Sequence, residues 1–159
     1  MSTRYGAGDL DSAVRALEGA RLAELRRTLN IVVLGSMRGE EDVRLHVVCP
    51  FRVRAGDRIL VASADMRYPL DRKDEDSFDK YRTRYDRSAR MLTSRFAEHE
   101  FRIVRAELGR GGAITLESDL DLTIEVFPDV AGPIECWRLF TTSSDEHYVY
   151  NPRPTEDED

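Results

Sequence analysis

"HVVCPFRVR", residues 46 to 54, puts a histidine, a cysteine and two arginines on one short segment. Three chemistries use such residues: a metal centre, a thiol nucleophile and a basic binding strand. Side chains alternate between the two faces of a strand, so His46 and Cys49, three residues apart, point to opposite sides. They cannot share an ion without a bulge. The other soft ligands, Cys136, His99 and His147, are scattered and lack paired spacing. The expectation is no metal. A nucleophilic cysteine needs a nearby base and a stabilised thiolate, and Cys49 points away from His46. Cys49 therefore reads as a small buried hydrophobe.

The acidic residues are weaker candidates. "ESDLDLTIE" offers Glu117, Asp119, Asp121 and Glu125, with Asp129 beyond. Paired acids serve acid–base chemistry or bind divalent ions. Asp119 and Asp121 fall at an expected hairpin turn, where aspartate bonds locally to the backbone. "FPD" followed by Glu135 resembles a nuclease motif, but that motif needs lysine two residues after the acid, and Trp137 stands there. "GRGG" (109 to 112) precedes a strand and not a helix, so it is no phosphate cradle. Ser63, Ser94, Ser143 and Ser144 lack the context of a nucleophile elbow. No cofactor is implied.

Two basic faces remain. Arg44, His46, Arg52 and Arg54 share the polar side of one strand. Lys80, Arg84, Arg87, Arg90 and Arg95 lie opposite the apolar stripe of an expected helix. The plainer reading is a solvated face with ion pairs. The sharper one is a surface for an acidic protein partner, with Arg44, His46, Arg52, Arg54, Arg84 and Arg87 as its contacts.

These residues need elements to hold them. "DLDSAVRALEG" reads as a short helix, capped by Asp9 or Asp11 and stopped by Gly19. "ARLAELRRTLNIVVLGSM" reads as two paired strands turning near Asn30, with residues 21–27 as an alternative extension of the helix. From Val43 to Arg54 the apolar residues Val43, Leu45, Val47, Cys49, Phe51 and Val53 fall on one face, with Arg44, His46, Val48, Pro50, Arg52 and Arg54 on the other, and this period of two marks a strand. Pro50 lacks an amide hydrogen, so this strand is expected at a sheet edge or with a bulge. "AGD" (55 to 57) turns it into a hairpin. Phe78, Tyr81, Tyr85, Ala89, Leu92 and Phe96 recur at helical spacing and predict one long amphipathic helix over about 77–96, capped by Ser77. Strands follow at about 101–108, 113–118, 122–127, 136–141 and 147–150. Trp137 and Phe140 are both expected in the core, with cover on both faces of their strand. The fold class is α+β, a mostly antiparallel sheet of eight or nine short strands with two helices. Residues 1–8 read as a flexible lead, 9–150 as a single domain, and 151–159 as an acidic flexible tail.

The bulk numbers agree with a binding domain and exclude several classes. A chain of 159 residues is long enough for a sizeable core. The net charge of −6 argues against a surface built to neutralise phosphates, so nucleic acid is a poor partner. Arginine outnumbers lysine, whose only members are Lys73 and Lys80. A GC-rich genome accounts for that bias. Bidentate guanidinium contacts at an interface are the functional reading. The chain starts without a basic-then-apolar leader and carries no long apolar run. The expectation is a reduced, cytoplasmic protein with free thiols and no membrane span.

Several elements together resemble a family of small bacterial domains of unknown function. They are Cys49-Pro50-Phe51-Arg52, then Ser63 to Asp65, Glu125 to Asp129, and Trp137 to Phe140. The family more often has tryptophan where this chain has Phe51. The resemblance spans roughly residues 17–141 and implies a fold and not an activity. Some such domains sit beside bacterial toxin systems, which implies an immunity-type role. The leading reading is thus a non-enzymatic interaction domain. The alternative is an enzyme or small-molecule binder with a pocket between helix and sheet.

Overall fold

The computed structural model describes residues 1–154. Its strands in chain order are β1 (Ser2–Arg4), β2 (Arg21–Thr28), β3 (Ile31–Arg38), β4 (Glu41–Val47), β5 (Phe51–Ala55), β6 (Arg58–Ala62), β7 (Ile103–Leu108), β8 (Ile114–Ser118), β9 (Leu122–Val126), β10 (Trp137–Thr141) and β11 (Glu146–Tyr150). The helices are α1 (Ala7–Arg15) and α2 (Arg84–Glu98), with a 3-10 turn at Ser63–Arg67. The class is α+β, as the periodicities imply. The strands form two sheets, ordered β1-β11-β10-β4-β3-β2 and β6-β5-β9-β8-β7. All pairings are antiparallel except β1 with β11.

One core joins the sheets and both helices. Leu22, Leu25, Phe51, Tyr85, Phe101, Ile103 and Trp137 are among its most enclosed members. The sheets meet where Leu22 and Phe101 share a backbone hydrogen bond of 2.8 Å. α2 covers the outer strand β2, where the Thr93 hydroxyl accepts from the Leu25 amide at 2.9 Å. This blunts an edge that would otherwise offer free backbone groups. α1 packs against β7 and β11.

The stretch from Val43 to Arg54 differs most usefully from expectation. Its alternation of burial holds at every position, yet it is neither one strand nor an edge. It breaks at 48–50: β4 runs inside the first sheet between β3 and β10, and β5 inside the second between β6 and β9. Pro50 sits in the break, where no ladder needs its missing amide hydrogen. The other connection between the sheets, 127–136, crosses beside it: Phe127 N donates to Pro50 O at 2.8 Å and Val48 N to Cys136 O at 3.0 Å.

The helix expected over 77–96 does not form as one element. Residues 77–81 are turns, with Tyr81 at φ 57°, and α2 spans 15 residues from Arg84. Its cap is Thr83 and not Ser77. The Thr83 hydroxyl accepts from the Asp86 amide at 3.3 Å, and Asp86 accepts from the Thr83 amide at 3.0 Å, a reciprocal capping box. Asp86 also takes a bidentate ion pair from Arg27 on β2, at 2.8 and 2.9 Å. The Arg27 guanidinium lies between the Phe78 and Tyr81 rings, 4.3 and 4.0 Å from their centroids. It also donates to Phe78 O at 2.6 Å and Leu29 O at 2.9 Å. Phe78 and Tyr81 therefore clasp an arginine, and the 77–83 segment is pinned to β2.

Smaller differences have local causes. Residues 2–4, expected within a loose lead, form β1 beside β11. α1 has Gly6 at its N-cap without a side-chain cap, so neither Asp9 nor Asp11 fills that role. The count of eleven strands exceeds the expected eight or nine because β1 is added and one long strand becomes β4 and β5. Trp137 is fully buried, donates from Nε1 to Gly112 O at 2.8 Å and stacks on Tyr150. Gly112, at φ 74°, leaves no room for a Cβ against that Tyr150 ring. Phe140 is not a core residue. It lies half-buried between the rings of His46 and His147. Of the expected acidic tail, residues 155–159 lie outside the described residues.

Candidate functional site

The break between β4 and β5 opens the sheets onto a cleft of about 720 Å³. Its lining includes Val48, Cys49, Pro50, Met66, Pro69 and Phe78 as apolar surfaces. Each is held by a feature already described. Cys49 and Pro50 are the break itself. Met66 comes from the 3-10 turn after β6, where Asp65 accepts from the Ala62 amide at 2.9 Å. Phe78 is fixed by the Arg27 clasp. Asp74, Glu75 and Asp129 supply carboxylates to the lining, and Arg67 supplies a guanidinium.

Several large apolar residues that line this cleft or adjoin its lining in the chain are exposed. Val48 lines it. Tyr68 and Leu70 flank lining residue Pro69, at 53% and 39% exposure. Val130 follows lining residue Asp129, at 41%, and Ile134 lies further along the same connection, at 52%. Hydrophobic side chains concentrated at one place mark contact surfaces more than scattered ones do.

Cys49 sits at the floor, almost fully buried. Burial, with the neighbouring Cys136 adding to it, pushes its thiol up to about 12. A thiol that stays protonated at neutral pH is a poor nucleophile and a poor ligand. Both cysteines are free. Among the described residues, no group of three or more His, Cys, Asp and Glu side chains is placed to hold a metal ion.

The arginines named from the sequence occupy different places. On β4, Arg44 pairs with Asp42 at 3.1 Å. On β5, Arg52 and Arg54 both grip Glu125 of β9, Arg52 at 3.2 Å. Burial raises the Glu125 carboxyl, but its arginine partners outweigh that and hold it below the usual range. Arg84 lies over Tyr68, 5.7 Å from the ring centroid, and Arg87 is exposed on α2. Arg44 and His46 belong to the first sheet and Arg52 and Arg54 to the second, so the strand break divides what looked like one basic face. Asp119 and Asp121 flank the β8–β9 turn, where Leu120 and Asp121 have φ near 60°, and Asp119 accepts from the Arg102 amide at 2.8 Å.

His46 belongs to a second cluster that the sequence did not reveal. Cross-strand register sets Arg138 directly opposite it and Phe140 opposite His147. His46 meets Phe140 edge to face, with centroids 5.0 Å apart, and Phe140 stacks on His147 at 4.5 Å. Arg138 pairs with Glu135 at 2.6 Å and approaches His147 Nδ1 at 2.8 Å. His46 Nε2 is enclosed without a hydrogen-bond partner among the described residues. Burial, then the charges of Arg26, Arg44 and Arg138, hold His46 below its ordinary value; Glu135 alone pulls the other way. His147 is lowered by burial and Arg138. In the unfolded chain both titrate near about 6.5. The unfolded state therefore takes up protons first, and stability falls as pH drops through that value. Thermal melts between about pH 7.5 and pH 5 should show this loss, and His46→Gln should make it smaller. An unchanged slope in the variant would show that His46 contributes nothing to it.

No helix among the described residues is long and apolar enough to cross a membrane. The chain matches no family model, no curated protein and no solved structure.

Proposed function

We propose that this chain is a non-catalytic binding domain that docks a protein partner over the cleft at the β4–β5 break. The observation that carries this is the cleft itself, lined by Val48, Pro50, Met66, Pro69 and Phe78, with exposed Tyr68, Leu70 and Val130 next to lining residues in the chain. The protonated Cys49 thiol in the same lining supports binding over chemistry. The free cysteines fit a reduced, cytoplasmic setting. The resemblance to small bacterial domains supports one specific form of the reading, an immunity-type protein that masks a toxin.

The test is retention of the products of neighbouring genes by the immobilised chain. The native chain should retain one partner in stoichiometric amount. Val130→Ser with Ile134→Ser should weaken retention by about tenfold or more, the scale of losing the burial of two aliphatic side chains. Both positions are exposed, so the melting temperature should hold. Equal retention by native chain and variant would overturn the reading.

The cleft volume favours a second reading. About 720 Å³ lies within the roughly 300–1,000 Å³ of small-molecule pockets. A small metabolite carried on the native chain in native mass spectrometry, with no protein partner retained, would favour that alternative.

A further inference from the structure

The charge around the cleft says what kind of partner segment fits it. Resting on the protein-binding reading above, we propose that the cleft takes a segment in which basic and apolar side chains are interleaved. Its lining carries three carboxylates, Asp74, Glu75 and Asp129, against the single guanidinium of Arg67. Glu75 and Asp129 are exposed, and neither has an ion-pair partner among the described residues. Asp74 accepts from the Asp76 amide at 3.2 Å, and its one ion-pair partner among the described residues is Lys80, at a loose 3.9 Å. The same lining includes Met66, Pro50 and Phe78 as apolar surfaces, the Met66 side chain adaptable in shape. A cation entering this site meets unneutralised acids, and an apolar neighbour on the same segment meets these apolar surfaces. The net charge of −6 draws a basic segment from a distance as well.

The same comparison disfavours an acidic segment on the strand arginines. Arg44 is engaged by Asp42, Arg52 and Arg54 by Glu125, and Arg138 by Glu135. An acidic partner would have to compete with carboxylates already in place. A basic partner at the cleft has almost nothing to displace.

Two fluorescent peptides of equal length test this on the full chain, one alternating lysine with leucine and one alternating glutamate with leucine. The lysine peptide should bind at least about tenfold more tightly. Glu75→Lys with Asp129→Lys should abolish that preference. Glu40→Lys with Glu98→Lys makes the same charge change at exposed sites outside the lining, and should leave the preference intact. A peptide alternating lysine with serine should bind at least about tenfold less tightly than its leucine counterpart. All four substituted positions are exposed, and unchanged melting confirms that the variants fold.

Loss of the preference in both double variants would reduce the effect to general attraction and overturn the proposal. Tighter binding of the glutamate peptide, still lost in the Val130→Ser/Ile134→Ser variant, would also overturn it while leaving a peptide-binding cleft. Binding of neither peptide, together with equal partner retention in the test above, would overturn both readings.

Discussion

Replacing Arg27 by methionine is expected to destabilise the protein by roughly 3–5 kcal/mol, the usual cost of breaking a buried ion pair from one side. The side chains of Arg27 and Asp86 are 0% and 5% exposed, so solvent cannot take over for the lost partner. Burial would raise the Asp86 carboxyl, but its bonds to Arg27 and Thr83 outweigh this and hold it below the usual range. Without Arg27, Asp86 keeps only Thr83, and the Phe78 and Tyr81 rings lose the cation between them. The 77–83 segment should loosen first, because the arginine pins it to β2. Denaturant melts measure the loss, and hydrogen exchange locates it. A cost below about 1 kcal/mol, in the range of surface pairs, would contradict the clasp.

Trp137→Ala should cost roughly 3–5 kcal/mol. Trp137 is fully enclosed, and its indole stacks on Tyr150 at 6.0 Å. Truncation opens a cavity where β10 enters the sheet and leaves the Gly112 carbonyl without its 2.8 Å donor. Trp137→Phe should recover most of the packing and not the hydrogen bond. A small loss in Trp137→Ala with a large one in Trp137→Phe would contradict this account. Phe140→Ala serves as the contrast. Phe140 is partly exposed and packs on two histidines, so its loss should be clearly smaller.

The sequence showed local patterns well and long-range partners poorly. Alternation placed Val43, Leu45, Val47, Cys49, Phe51 and Val53 inward, and all six are buried. It could not show that the strand changes sheets at Val48–Pro50, because burial alternates across the break without interruption. Pro50 was the one visible mark. The stripe from Phe78 to Phe96 followed helical spacing, but its first two members pack on Arg27, a residue on a distant strand. Spacing cannot separate a helix face from rings that clasp a cation. Thr83 and Asp86, three residues apart in the capping-box pattern, were the better signal for the helix start.

The candidate site was less legible than the fold. The arginines stood out by type, but the carboxylates that engage them come from other strands, as Glu125 does for Arg52 and Arg54. The cleft is assembled from Asn30, Cys49, Met66, Phe78 and Asp129, which share no motif and meet only through the strand break. The stretch 127–136 carries exposed Phe127, Val130 and Ile134 on a connection between strands. Apolar residues on a loop were the available signal for a contact surface.

The location of the binding surface is measured most directly by amide chemical shifts of the full chain during titration with the retained partner. The account predicts that Val48, Cys49, Met66, Asp129 and Val130 shift together, while Arg44, His46 and Phe140 stay in place. Shifts confined to Arg44, His46 and Phe140, with the cleft amides unmoved, would contradict it.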